Sequence, residues 1–313
     1  MRKLRSLGFC VLAACDGDGS SIADEVLDGL PAATLSADPV EAKYWASTSA
    51  PNALAAGLAP YEAADLVLQL NTGETCPKKT ETGTDTNKTT TYEGGCTTMS
   101  GEMWFGKATV KQAQSVSSGS VSVGYEGFGS DSKETCNGAE VVTHGISDGS
   151  VSYSGGPSGI SFRVDLKVES ESVDPATCTA RDSSGGVTYS GRMTAAGGDM
   201  DGDGDQDATT WSGSGRFGSA THGVATVRTD AEVVNDVVCK DEASSGTTTI
   251  SADGHTIAIT YDGATDCKPE KTVRWSFDGA DQGELEGVEC NAGGASGFAM
   301  LAIVGLVIRR RRR

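Results

Sequence analysis

The strongest constraint on the fold is a strict alternation of apolar and polar side chains over residues 160–168, where every second residue is apolar. A period of two is typical of a strand with one face on a core and the other face in solvent. The same alternation returns at Val273, Trp275 and Phe277. These two segments predict an antiparallel sheet.

Turn signals extend this prediction. Asp-Gly pairs at Asp148-Gly149, Asp253-Gly254 and Asp278-Gly279 are typical of tight hairpins, which need positive φ at both central residues. Residues 73–290 are rich in Gly, Ser, Thr and β-branched side chains. We therefore predict a mainly β fold, an antiparallel meander or sandwich-like domain of many hairpins.

A degenerate repeat, an aromatic residue followed two positions later by glycine, runs through this region. Its aromatic members are Tyr92, Trp104, Tyr125, Tyr153, Tyr189, Trp211 and Tyr261. The glycine indicates that each ring lies over neighbouring backbone or that the strand bends there. An exposed row that grips sugar rings is the alternative. We prefer buried rings, because the chain has only 4 Trp, 7 Tyr and 7 Phe with which to fill a core.

Two helices are predicted before the β region. Asp38-Pro39 supplies an N-cap and a first-turn proline for a helix through Ala46. Pro60 is predicted to open a second helix, which ends at Asn71.

The charge balance excludes nucleic acid as a partner. The chain has 43 Asp and Glu against 25 Lys and Arg, and several of those cations are clustered at the two ends. The middle therefore carries a net charge of about −26, whereas phosphate binding needs a basic surface.

The N-terminus has the layout of an export signal, with Arg2, Lys3 and Arg5 before a short apolar stretch. Leu12-Ala13-Ala14-Cys15 resembles the lipobox of bacterial lipoproteins, which implies lipidation at Cys15. An ordinary secretory signal with an incidental cysteine is the alternative. Asp16 resembles the inner-membrane retention mark of enteric lipoproteins, so the choice of membrane stays open.

The C-terminus combines an uncharged stretch over residues 292–308 with five terminal arginines. This tail resembles the sorting signals called MYXO-CTERM and GlyGly-CTERM, which implies processing by sorting peptidases and display on the cell surface. A plain C-terminal membrane anchor is the alternative. Both interpretations place the middle of the chain outside the cytoplasm, with the outer membrane or cell surface favoured.

These signals divide the chain into five parts. They are a signal peptide (1–14), a flexible tether (15–35), a short helical segment (36–72), a disulfide-containing β domain (73–290) and a sorting or transmembrane tail (291–313).

The cysteines of an exported acidic chain are expected to form disulfides. Cys76 and Cys96 bracket a polar loop, and Cys267 and Cys290 flank the Asp278-Gly279 hairpin at equal distance, so both pairs are candidates. Alternatively, Cys290 belongs to the tail and the other cysteines pair among themselves.

One segment resembles a calcium loop of the EF-hand, dockerin or thrombospondin type 3 kind. Its carboxylates are Asp199, Asp201, Asp203, Asp205 and Asp207, with Gly204 at the turn. Alternating carboxylates of a tight loop supply the oxygen ligands that Ca²⁺ prefers. Position 12 of the loop is Thr210 instead of the bidentate glutamate, so we expect weak Ca²⁺ binding that stabilises the domain.

The sequence contains no C-x-x-C pair. We therefore expect a surface-displayed bacterial lipoprotein that works without catalysis, in envelope structure, adhesion or the binding of a surface protein or glycan. A glycan-acting hydrolase is the alternative, because such an enzyme needs only two carboxylates.

Overall fold

The computed structural model describes residues 21–71, 73–136, 139–173, 180–196, 208–235, 239–261 and 272–286. Within these residues the fold is mainly β, as predicted, and fourteen strands form one antiparallel sheet. The helices are α1 (Ile22–Leu27), α2 (Pro39–Ala46) and α3 (Ala50–Leu70). The strands are β1 (Lys78–Thr84), β2 (Asn87–Glu93), β3 (Cys96–Thr97), β4 (Met103–Gln114), β5 (Gly119–Cys136), β6 (Ala139–Gly156), β7 (Gly159–Val173), β8 (Ala180–Ala196), β9 (Ala208–Ser219), β10 (Gly223–Asn235), β11 (Cys239–Ala252), β12 (His255–Tyr261), β13 (Thr272–Phe277) and β14 (Ala280–Glu286).

The sheet is a meander in which each strand pairs with the strands before and after it, apart from the short β3, which pairs with β4 beside the main path. Two predicted hairpin turns are confirmed. Asp253 and Gly254 connect β11 to β12 with φ of 48° and 81°, and Asp278 and Gly279 connect β13 to β14 with φ of 50° and 79°.

The third Asp-Gly pair does not form a hairpin, so that prediction is wrong. Asp148 and Gly149 lie inside β6, where the register with β5 shifts between Tyr125 and Phe128. The Asp148 carboxylate accepts a hydrogen bond of 2.6 Å from the backbone N–H of Gly127. Gly127 and Gly149 therefore adopt positive φ as part of a β-bulge and not as part of a hairpin turn.

Helix α3 packs against one face of the sheet, which we call the inner face. The alternation of β7 is confirmed, because Phe162, Val164 and Leu166 are buried on this face. The Tyr125 hydroxyl donates a 2.8 Å hydrogen bond to the carbonyl oxygen of Gly57 in the helix. A Cβ at Gly57 would lie 2.5 Å from Val151 Cγ2, so glycine permits the close approach of helix and sheet.

All seven aromatic members of the repeat are buried, at 6 % exposure or less, which confirms the core interpretation. Two of the repeat glycines, Gly191 and Gly213, accommodate rings, whereas Gly106 and Gly127 adopt positive φ of 60° and 57° at register shifts, so both expectations hold for part of the repeat. A Cβ at Gly213 or Gly215 would lie 2.7 Å from the ring of Tyr189, and one at Gly191 would lie 2.5 Å from the ring of Phe162. The repeat is therefore a packing device of the core.

The predicted helix at Asp38-Pro39 is confirmed by α2, in which the Asp38 carboxylate accepts a 2.9 Å hydrogen bond from the backbone N–H of Val40. The predicted start at Pro60 is wrong, since α3 begins at Ala50 and Pro60 lies inside it. A proline inside a helix removes one backbone hydrogen bond. Burial of Leu54 and Leu58 against the sheet offsets that loss.

The prediction of a flexible tether is wrong for its described part. Helix α1 packs on the opposite side of the sheet from α3, which we call the outer face. The Asp165 carboxylate accepts hydrogen bonds from Ser21 Oγ at 2.7 Å and from the backbone N–H of Ala23 at 3.1 Å. Leu27 is buried against glycines of the sheet, and a Cβ at Gly218 would lie 2.8 Å from the Cδ2 atom of Leu27. The acidic, glycine-rich composition concealed this short amphipathic helix.

After α1 the chain passes to the inner face at the turn between β9 and β10. Ala32 forms a parallel bridge with Val224, and Ala33 and Leu35 then join the core. No helix within the described part of the chain is long and apolar enough to cross a membrane.

Candidate functional site

A row of polar side chains crosses the outer face at the centre of β4 to β7. Lys111, Ser122, Ser152 and Arg163 are direct cross-strand partners in that order. Their sequence neighbours on β5 to β7, which include Val121, Tyr153 and Phe162, are buried on the inner face. Because side chains alternate along a strand, the row faces solvent.

A second row runs parallel to the first on the same face. It consists of Asn87, Ala113, Ser120, Ser154 and Ser161, again as direct partners on β2 and β4 to β7. The side chains of this row are all exposed. Short side chains leave the backbone between the rows open, so the two rows form a shallow floor of hydroxyl groups.

A pocket of about 580 Å³ lies over these rows, and we call it the serine pocket. Its lining is a triplet on each of five strands, residues 87–89, 111–113, 120–122, 152–154 and 161–163. In every triplet the first and third residues face outward and the middle residue faces inward. The pocket is therefore on the outer face.

The lining of the serine pocket is rich in hydroxyl groups, amides and cations. Its lining contains Lys88, Lys111 and Arg163 but no Asp, Glu, His or Cys. Lys88 forms a 2.7 Å ion pair with Glu81, whereas Lys111 and Arg163 have no ion pair within the described residues. Hydroxyls, amides and cations offer hydrogen bonds and positive charge, and the lining supplies no general base at neutral pH.

A second cluster lies on α3, where Glu62 and Asp65 are one helical turn apart. Burial raises the pKa of Glu62 to about 7, and its Oε1 atom has no hydrogen-bond partner within the described residues. Desolvation favours a higher pKa for Asp65 as well. Hydrogen bonds of 2.7 Å from Lys79 Nζ and 2.8 Å from the Tyr92 hydroxyl outweigh it and lower the pKa of Asp65. Two carboxyls with pKa values shifted in opposite directions are a recognised acid–base signature.

A third polar cluster fixes the start of α3. Glu232 is fully buried, and its Oε1 atom accepts a 3.3 Å hydrogen bond from Ser49 Oγ at the N-cap of α3. The backbone N–H of Ala50 donates to Thr229 Oγ1 at 2.9 Å. A β-bulge at Ala231, with φ of 50°, turns Glu232 inward. A carboxylate beside a helix N-terminus is favourable, and full burial gives this cluster a structural role.

Sequence reasoning missed all three clusters. Glu232 had a visible signal, since the apolar residues of β10 change from odd to even positions between Val227 and Val234. Glu62 had none, because a single glutamate on an amphipathic helix is ordinary. The serine pocket had none either, since serines are spread through the whole β region.

Of the predicted site residues, the structure brings together Cys76 and Cys96. They form a disulfide with a Cα–Cα distance of 5.8 Å, which confirms that candidate pair. The other predicted site residues lie outside the described residues: Cys15, Cys267, Cys290, Asp199, Asp201, Asp203, Asp205 and Asp207. Within the described ranges, no three His, Cys, Asp or Glu side chains are grouped to hold a metal ion.

Comparisons of the chain with protein families, with curated proteins and with solved structures gave no match.

Proposed function

We propose that this protein is a surface-displayed bacterial lipoprotein whose sheet acts as a non-catalytic binding module, with the serine pocket as its glycan site. The observation that carries the proposal is the lining of the pocket, which has five serines between two outward-facing cations and contains no Asp, Glu, His or Cys. Saccharides present hydroxyl groups, and each serine hydroxyl donates one hydrogen bond and accepts two. The pocket is matched to such a ligand and has no group to cleave it.

The position of Ser21 on the outer face supports a serine pocket that lies close to the envelope. Ser21 is hydrogen-bonded to Asp165, which is two residues from Arg163 on the same face of β7. Cys15 precedes Ser21 by six residues, a reach of at most about 21 Å for an extended chain. A lipid on Cys15 would therefore hold the serine pocket near the membrane surface, where envelope glycans are concentrated.

The proposed glycan site can be tested with a variant whose larger side chain fills the pocket. The full chain in detergent is screened against immobilised bacterial polysaccharides, beside Ser152→Phe and Ser214→Phe. Ser152 lies in the pocket, and Ser214 is an exposed serine further along the same cross-strand row. We expect Ser152→Phe to abolish binding and Ser214→Phe to retain it. Equal binding by both variants would reject the serine pocket as the site.

Lipidation is tested with Cys15→Ser. The variant is expected to lack the acyl mass in intact-protein mass spectrometry and to partition into the aqueous phase of a detergent extract. A variant that stays in the detergent phase would assign the anchoring to the C-terminal tail alone. The same spectra show whether residues 291–313 are removed by a sorting peptidase.

We also propose that Ca²⁺ binds weakly at residues 199–207 and stabilises the domain. At ten times Kd, Ca²⁺ should add about 1.4 kcal/mol to the free energy of unfolding. Thermal melts with and without millimolar Ca²⁺ are compared with the Asp201→Ala, Asp203→Ala variant. A melting temperature that Ca²⁺ leaves unchanged in the unmodified protein would reject the site.

The opposed pKa shifts of Glu62 and Asp65 favour one alternative, a hydrolase that acts on glycans. In that case Glu62 would donate the proton to the leaving group. The test is the release of reducing sugar from polysaccharides by the unmodified protein and by Glu62→Gln. Activity that Glu62→Gln removes would establish the enzyme, and activity in neither protein would leave Glu62 a structural role.

A further inference from the structure

We propose that the serine pocket selects saccharides that carry negative charge, such as uronic acids. This inference rests on the proposed glycan site and specifies its ligand. The juxtaposition that carries it is a pair of cations, Lys111 and Arg163, on either side of Ser122 and Ser152 in one cross-strand row.

The two cations bracket the serine floor. Ser122 and Ser152 lie between Lys111 and Arg163, so the row spans three strand-to-strand gaps. At about 4.8 Å per gap, the backbones of the two cations are about 14 Å apart. A ligand long enough to contact both must cross the hydroxyl floor, which favours an extended oligosaccharide over a small inorganic anion.

Both cations are available to a ligand. Lys111 and Arg163 are exposed, and neither forms an ion pair within the described residues. Two exposed arginines elsewhere on the sheet are paired, Arg228 with Asp230 at 2.7 Å and Arg274 with Asp281 at 2.7 Å, and Arg192 donates a 2.8 Å hydrogen bond to the carbonyl oxygen of Ser158. In a chain with 43 acidic residues, two unpaired cations beside an acid-free floor form a local positive surface.

The position of α1 keeps Arg163 available. Along the outer face of β7, the acidic residue closest to Arg163 is Asp165. Its carboxylate accepts hydrogen bonds from Ser21 Oγ and from the backbone N–H of Ala23. Because the start of α1 holds the Oδ1 atom of Asp165, and no ion pair joins Asp165 to Arg163 within the described residues, Arg163 is left to a ligand. An exposed guanidinium can form two parallel hydrogen bonds with the carboxylate of a uronic acid.

The test compares two forms of one oligosaccharide, hexagalacturonate and its fully methyl-esterified, uncharged form. Both are titrated calorimetrically into the full chain in detergent at pH 7. We expect hexagalacturonate to bind at least tenfold more tightly than the ester, and its affinity to fall between 50 and 300 mM salt.

The variants assign this selectivity to the two cations. Lys111→Ala, Arg163→Ala should weaken the binding of hexagalacturonate at least tenfold more than it weakens the binding of the ester. Arg228→Ala, Arg274→Ala removes the same charge from paired, exposed positions outside the pocket and should leave both affinities unchanged. All four residues are exposed, so the melting temperatures of both variants should match that of the unmodified protein.

Three results would overturn the inference. Equal affinities for the two forms, both abolished by Ser152→Phe, would leave the glycan site in place and remove its charge selectivity. Equal weakening by the two double variants would show a general charge effect. Binding of neither form would reject a uronate ligand, and the glycan screen with Ser152→Phe and Ser214→Phe would then decide the proposed function on its own.

Discussion

Replacing Glu62 by glutamine is expected to remove a pH dependence from the stability of the fold. Burial raises the pKa of Glu62 from its ordinary value of 4.5 to about 7, so between these values the folded protein holds a proton that the unfolded chain releases. The contribution of the neutral carboxyl is complete below pH 4.5 and is lost as the pH rises through 7. The free energy of unfolding should therefore fall over this window.

The structure sets the size of the effect. A shift from 4.5 to about 7 corresponds to about 3 kcal/mol at 1.36 kcal/mol per unit. Because Glu62 is only half-buried, screening by solvent reduces the expected difference to about 1–2 kcal/mol. Glu62→Gln should match the unmodified protein at pH 4.5 and exceed its stability by that amount at pH 8.

Urea denaturation at pH 4.5, 6 and 8 measures this difference, and subtraction between variants cancels the titration of the other carboxyls. Glu284→Gln on β14 is the control, because Glu284 is exposed. A stability difference between Glu62→Gln and the unmodified protein that stays constant across pH would refute the reasoning. A lower stability of Glu62→Gln at pH 8 would show instead that the ionised carboxylate is stabilised by a partner.

Three further perturbations test the packing. Cys76→Ser with Cys96→Ser opens a loop with a sequence separation of 20 and should lower the free energy of unfolding in urea by about 3 kcal/mol. Gly57→Ala places a Cβ 2.5 Å from Val151 Cγ2 and should destabilise by about 1–3 kcal/mol in urea, whereas Gly57→Ala with Val151→Ala should recover part of the loss. Leu27→Ala should speed amide hydrogen exchange in residues 22–28 while the core strands keep their protection, and uniform exchange across the sheet would contradict separate docking of α1.

Local chemistry made much of the fold predictable. The alternation at residues 160–168 needs a half-buried strand whatever its partners, and β7 provides it. Asp253-Gly254 and Asp278-Gly279 lie between strands that pair directly, so positive φ there yields hairpins. The disulfide followed from two cysteines that bracket a short polar loop.

Predictions failed where tertiary contacts decide between local alternatives. Pro60 is compatible with a helix start, but packing of residues before it extends α3 back to Ala50. Helix α1 contains Asp24 and Glu25 and is followed by Asp28 at its C-cap, and such an acidic composition is typical of a linker. Arg216, on strand β9 and distant in the sequence, stabilises this helix. Its guanidinium donates hydrogen bonds to Asp24 at 3.1 Å and to Asp28 at 2.8 Å.

The serine pocket depends on a register that no local pattern encodes. Next to the turn that joins β5 to β6, Cys136 pairs with Ala139. If this register continued unchanged along both strands, Ser122 would pair with Tyr153. The shift between Tyr125 and Phe128 moves the partner of Ser122 to Ser152 instead. Because cross-strand partners share a face, only the shifted register puts both serines outward while Tyr153 stays in the core. The bulge that Asp148 and Gly127 stabilise at 2.6 Å thus serves both faces, since it aligns the hydroxyl floor and keeps an aromatic ring buried beneath it.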